Sequence, residues 1–285
     1  MKSLLRILVI LSLTFMTYAE ECDYNNSISP DLEKVLKLAG QVEDIVRYIH
    51  DTPHEGDDRK ERTASSPKWL AAVGKLNNHC SANLIGNDLD ENSRVVSTAF
   101  HCIDEYIESG KPIYITFTTN DGRKIKREAE IHKKGDLYED RAILILDELI
   151  SYKDIPPLVI GDGSMINEDD TKLTIAGYSA DTGLGTKGKK LTYDADCVFG
   201  GKGSDKTENH IYFDDCSAYG GASGGAVVLE VDEEGEKVPY LIGHIDESTK
   251  KGVAVAYGYY DTYYSEDNFL NELYDAVDEF NTYDD

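Results

Sequence analysis

Apolar and polar positions fall into three regimes along the chain. Near the start, residues 8–15 form a short apolar run behind Lys2 and Arg6, and Thr17-Tyr18-Ala19 closes it with a small residue. A positive start, a short apolar core and a small exit residue predict a signal peptide over residues 1–19. The run is short for a membrane span. Next, Leu32, Val35, Leu36, Ala39, Val42, Val46 and Ile49 recur at helical spacing behind Ser29-Pro30, a suitable cap and first turn. From Pro67 the pattern becomes that of strands. Apolar runs at 69–76, 80–85 and 94–99 are separated by polar turns, and 113–118 and 124–131 flank the hairpin signal Asn120-Asp121-Gly122. Further strands are expected at 173–178, 240–246 and 253–256. The helical period returns at 266–280, with Ser265 as its cap and Phe269, Leu270, Leu273, Val277 and Phe280 on one face. Many short strands between turns predict an all-β barrel or sandwich.

Composition narrows the partners. The chain has 285 residues, enough for a sizeable core in one or two domains. Acids outnumber bases 54 to 29, for a net charge of −25. Nucleic acid and anionic membrane are therefore excluded as partners, because phosphate contact needs basic patches. Export makes disulfides plausible, and the five cysteines allow two bonds with one left over. No Cys/His set has a zinc spacing, so neither metal nor cofactor is expected. Cys22 raises the question of a lipid anchor, but Glu20 and Glu21 stand where small residues would be needed.

The candidate chemistry lies in Asp215-Cys216-Ser217-Ala218-Tyr219-Gly220-Gly221-Ala222-Ser223-Gly224-Gly225-Ala226. A glycine-rich turn lets backbone N–H groups converge beside one hydroxyl. Ser223 is then a candidate nucleophile, with those N–H groups receiving a developing oxyanion. A serine hydroxyl needs a base, and the base needs a carboxylate to orient it. Val95-Val96-Ser97-Thr98-Ala99-Phe100-His101-Cys102 supplies His101, and Asp140 sits at the mouth of the apolar run Ala142-Ile143-Leu144-Ile145-Leu146. Each has a plain alternative: a buried histidine, a strand-end carboxylate, a small turn residue. Gly221-Ala222-Ser223-Gly224-Gly225 also fits the G-x-S-x-G elbow of α/β-hydrolases. Those enzymes place Asp and His after the serine, where this chain offers His244 and too little length for the βα units.

Cys80-Ser81-Ala82-Asn83-Leu84-Ile85, Ser97-Thr98-Ala99-Phe100-His101-Cys102, Asp140-Arg141-Ala142-Ile143-Leu144 and Gly221-Ala222-Ser223-Gly224-Gly225 together resemble the chymotrypsin/trypsin-like serine peptidases. They look most like the secreted bacterial branch that includes glutamyl endopeptidases. The resemblance spans about residues 57 to 280. It implies an all-β fold of two antiparallel chymotrypsin-type barrels, at 63–155 and 156–285, with a C-terminal helix on the second. It implies the triad His101, Asp140 and Ser223, and an oxyanion hole from the N–H groups of Gly221 and Ser223. It also implies a substrate pocket of Ser217, Ala218, Tyr219, Asp246, Glu247, Ser248 and Gly252. The family pattern pairs Cys80 with Cys102, and Cys197 with Cys216 is the natural second pair, leaving Cys22 over. Residues 20–62 would be a helical pro-segment cut near the basic residues 59–62 or earlier, against the alternative of a permanent N-terminal helix.

Three positions depart from the family. Ala222 stands where trypsin-like zymogens carry an activating aspartate. Asp246 stands where a serine or similar residue usually adjoins the catalytic aspartate. Ile245 stands where glutamyl-specific enzymes place a histidine, with His244 one position away. Asp246 and Glu247 could favour basic substrate side chains. The expectation is a secreted or periplasmic monomeric serine endopeptidase acting on protein or peptide. The alternative is a catalytically inactive homologue that uses the fold to bind a protein.

Overall fold

The computed structural model describes residues 57–77, 79–136, 139–167, 171–202, 210–248, 253–259 and 268–281. The expected signal peptide, the helix at 30–49 and Ser265 lie outside the described residues. In the first half come β1 (Lys60–Glu61), β2 (Val73–Leu76), β3 (Cys80–Gly86), β4 (Ser93–Thr98), the short helix α1 (Asp104–Ser109), β5 (Ile113–Thr118), β6 (Lys124–Lys134) and β7 (Ala142–Ile150). The second half holds β8 (Leu158–Ile160), β9 (Lys172–Gly177), β10 (Thr192–Lys202), β11 (His210–Ser217), β12 (Ala226–Glu233), β13 (Glu236–Ser248), β14 (Val253–Gly258) and α2 (Phe269–Phe280). The chain is all-β with few helices.

The strand order is β12-β9-β10-β11-β14-β13-β8-β3-β2-β5-β6-β7-β4. Two further pairings bend this order back on itself. β3 meets β4 at one end and β12 meets β13 at the other, so each half closes into a six-strand ring. Closure removes the exposed edges that an open sheet would leave. β8 joins the halves, pairing parallel with β3 on one side and β13 on the other. It directly follows Ile155-Pro156-Pro157.

Alternation accounts for the local structure. β5 buries every second residue, Ile113, Ile115 and Phe117, against the first ring's core. β3 differs, since all seven of its residues are buried. Its apolar side chains fill the ring, while Ser81 and Asn83 face the second half.

Two sequence expectations change. Residues 68–72 form a 3-10 turn after Pro67 rather than the start of a strand; Trp69, Leu70, Ala71 and Ala72 are all buried, so the apolar run reflects burial on every side. The C-terminal helix begins at Phe269, after Asn268, instead of at residue 266. Its buried face, Phe269, Leu270, Leu273, Ala276 and Val277, joins the first ring's core cluster. Residues 57–62, the end of the expected pro-segment, belong to the folded body: Lys60 and Glu61 pair with Tyr193 and Thr192 of β10. Among the described residues, no helix is long and apolar enough to cross a membrane.

Candidate active site

The loop between β11 and β12 carries Ser223, and β3 shapes it. Ser81 N–H donates to the carbonyl of Ser223 at 2.8 Å, and Asn83 Nδ2 donates to that of Gly224 at 2.9 Å. Ser81 Oγ donates to the carbonyl of Gly221 and accepts from Tyr178 N–H, both at 2.9 Å. These contacts cross between the halves. The turn requires glycine at two points. Gly221 has φ +92°, and a Cβ there would lie 2.7 Å from the Tyr178 carbonyl oxygen. Gly224 has φ +76°, and its Cβ would collide with Ser81 O and Thr98 Oγ1. Among the described residues, neither the Gly221 nor the Ser223 N–H has a hydrogen-bond partner. Both disulfides are formed, Cys80–Cys102 and Cys197–Cys216. The first ties β3 to the 3-10 turn that carries His101, and the second ties β10 to the strand leading into the serine loop.

His101 and Asp140 meet by two bonds. The backbone N–H of His101 donates to Asp140 Oδ1 at 2.8 Å, and its Nδ1 lies 2.7 Å from Asp140 Oδ2. An ionised carboxylate can only accept, so Nδ1 carries the hydrogen and Nε2 is left as the basic atom. Burial works against the charged imidazolium, but the hydrogen bond and charge of Asp140, with Asp246 and Asp104, outweigh it and raise the His101 pKa. Burial likewise opposes the Asp140 carboxylate, but hydrogen bonds from His101 and Asp246 hold it well below the usual range.

A cleft of about 320 Å³ is lined by His101, Ala218, Tyr219, Gly220, Ser223, Ile245 and Asp246. Of the residues expected in the pocket, it takes Ala218, Tyr219 and Asp246. Ser217 is buried and is not among the lining residues; its N–H donates to Asp194 Oδ2 at 2.9 Å. Gly252 and the side chains of Glu247 and Ser248 lie outside the described residues. Ile245 faces the cleft, while His244 is turned to the opposite side of β13, where its Nε2 lies 2.8 Å from the Asp140 carbonyl oxygen. Asp246 is committed to its neighbours: its carboxylate comes within 4.8 Å of that of Asp140, and His210 Nε2 lies 3.0 Å from its Oδ2. That occupation leaves it poorly placed to pair with a basic substrate side chain.

A model of the trypsin-like peptidase domain matches residues 80–238, which hold His101, Asp140 and Ser223. The chain belongs to this peptidase family. No curated protein matches it. Among solved structures, one titled "Crystal structure of Deg5" is similar at 16% sequence identity with a TM-score of 0.49, covering 67% of this chain and 85% of that one. As a trypsin-like peptidase, the chain has protein or peptide as its substrate class.

The sequence reading missed several groups that shape this peptidase site. Ser81 and Asn83 stood inside a motif of the resemblance but were assigned no role, because their partners lie about 140 positions away in sequence. His210 stands beside residues 203–209 in a stretch where no strand was expected. Arg59 was read as one of the basic residues at the expected cut, yet it is buried. Its Nη2 and Nη1 reach Asp57 at 2.7 Å and Asp181 at 2.9 Å, and its guanidinium lies 4.2 Å from the centre of the Tyr219 ring. One cluster free of disulfide cysteines, His101 with Asp140 and Asp246, brings three potential metal-ligand atoms within 4.8 Å of one another. Those atoms already bond among themselves.

Proposed function

We propose that the protein is an exported two-barrel serine endopeptidase that cleaves peptide bonds through His101, Asp140 and Ser223. The observation that carries this reading is the double hydrogen bond from His101 to Asp140, made at the edge of the cleft that Ser223 also lines. With Nδ1–H committed to Asp140, His101 Nε2 takes the proton from Ser223 Oγ as the oxygen attacks a substrate carbonyl. The imidazolium formed is stabilised by the Asp140 carboxylate. The N–H groups of Gly221 and Ser223, free of other partners among the described residues, receive the developing oxyanion. His101 then gives its proton to the departing amine, and an acyl-enzyme remains on Ser223. Water, deprotonated by His101, releases it.

Ala218, Tyr219, Gly220 and Ile245 would surround the substrate side chain. They offer apolar and backbone surface. The two disulfides fit an oxidising, exported setting.

A fluorophosphonate tests the central claim. Native mature protein should be labelled, while Ser223→Ala and the denatured protein should not. A folded, correctly trimmed protein that takes no label would instead favour the inactive homologue that binds a protein partner.

A further inference from the structure

Behind the cleft, four side chains from four segments stand in line. His101 comes from the 3-10 turn after β4, Asp140 from the loop before β7, Asp246 from β13 and His210 from the first position of β11. His101 Nδ1 meets Asp140 Oδ2 at 2.7 Å, carboxylate oxygens of Asp140 and Asp246 lie within 4.8 Å of each other, and Asp246 Oδ2 lies 3.0 Å from His210 Nε2. The His210 ring is itself held, with Tyr257 edge-on at 6.1 Å and Tyr212 stacked at 6.5 Å between ring centroids.

Two carboxyl groups can hydrogen-bond to each other when one keeps its proton. Both Asp140 oxygens already accept hydrogen bonds from His101, so Asp140 is the acceptor and the proton belongs to Asp246. A carboxylic acid has one O–H to give and one C=O to accept with. Here the O–H goes to Asp140, and the C=O lies where His210 Nε2–H can donate. Every hydrogen in the line then has a donor and an acceptor.

We propose that Asp246 is a neutral carboxylic acid that donates to Asp140, that His210 holds this acid in place, and that the pair positions Asp140 for the reaction at Ser223. This rests on the serine-peptidase reading of the site. Asp246 and His210 are positioning residues acting through Asp140.

The groups facing Asp246 are Asp140 and His101 across the ring boundary and His210 from β11. Tyr257 and Tyr212 pack on His210, Asp104 acts on His101, and His244 interacts with both His101 and His210. Burial is the largest cause raising the Asp246 pKa; the hydrogen bond from His210 opposes it, and the bond and charge of Asp140 add to it. Once Asp246 ionises, its charge favours the imidazolium of His101. The two groups therefore titrate as a coupled set.

Carboxyl ¹³C NMR of aspartate-labelled Ser223→Ala protein, assigned through bonds, reads Asp246 without any turnover. Asp246 should still read as protonated at the pH where the wild-type protein takes fluorophosphonate, with its midpoint well above the ordinary aspartate value of about 3.9. In His210→Phe it should move further up, because that variant keeps a ring for packing and removes the N–H that favours the ionised form. A midpoint in the ordinary aspartate range, or one that His210→Phe leaves in place, overturns the proposal. Failure of the peptidase reading appears separately, as wild-type protein that takes no fluorophosphonate at Ser223.

Discussion

His244 shows how much one strand position decides. It precedes Ile245, whose side chain lines the cleft, so alternation along β13 turns it into the interior. There its Nε2–H donates to the Asp140 carbonyl at 2.8 Å, and its Nδ1 accepts from the Tyr259 hydroxyl at 3.0 Å. Both ring nitrogens are satisfied in the neutral form. Burial, the largest cause, pushes the pKa down to about 4 despite the nearby Asp140 charge. The folded value is thus below the unfolded one, so the unfolded chain binds more protons between these values. Wild-type stability should fall as pH drops from about 6.5 toward 4, by up to about 3 kcal/mol from this residue. His244→Gln keeps an N–H for Asp140 and cannot titrate. Urea unfolding at pH 7 and pH 4.5 should show a smaller acid loss for the variant, and equal losses would count against this assignment. The sequence could not choose between His244 and Ile245 as the cleft residue, because a one-residue slip exchanges the two faces. The structure makes the choice through Asp140 and Tyr259, partners remote in sequence.

At the scale of elements, β3 does more than its apolar pattern implies. Ser81 looks like a polar interruption in an apolar run, yet it is buried and bonded to the second half at three atoms. Its N–H reaches the Ser223 carbonyl, its Oγ–H the Gly221 carbonyl, and its Oγ accepts from Tyr178 N–H. The strand therefore sets the height of the serine loop. In Ser81→Ala the backbone bond to Ser223 survives, but a partly buried carbonyl and a buried N–H lose their partner. The expected cost is about 2 kcal/mol or more in unfolding free energy. Because Gly221 would then be held less firmly, fluorophosphonate should react more slowly with the folded variant. An unchanged labelling rate would show that the loop keeps its form without β3. The motifs around His101, Asp140 and Ser223 were legible because each is local: a strand end, a strand mouth, a glycine turn. The props beneath them were not, since Ser81, Asn83 and His210 act across distances that no local pattern encodes. β10 and β11 were missed for a related reason: acidic residues such as Asp194, Asp196, Asp214 and Asp215 interrupt their apolar rhythm.

For the whole molecule, the open question is where the mature chain begins. The sequence placed a cut near the basic residues 59–62 or earlier. The packing of residues 57–62 favours the earlier position. Arg59 is fully engaged, with Asp57 at 2.7 Å, Asp181 at 2.9 Å and the Tyr219 ring at 4.2 Å. Arg62 N–H donates to the Leu191 carbonyl at 3.0 Å, and its guanidinium reaches the Thr118 carbonyl at 2.7 Å, so this short segment touches both rings. Asp181 is completely buried and also accepts from Gly183 N–H at 2.9 Å, so Arg59 supplies the positive charge that compensates it. Removing one partner of a buried ion pair typically costs about 3–5 kcal/mol, because the other charge remains buried. Tyr219, which lines the cleft, would lose its cationic neighbour in the same step. A chain starting at Asp57 should therefore fold and, if the proposed function holds, take fluorophosphonate at Ser223. A chain starting at Thr63 should be destabilised by several kcal/mol and labelled poorly. If the protein is exported and trimmed as proposed, N-terminal sequencing of the trimmed form gives the direct answer, with a first residue expected at or before Asp57. A mature start at Lys60 or later, in a protein that still labels at Ser223, would show that the Arg59 clamp is dispensable.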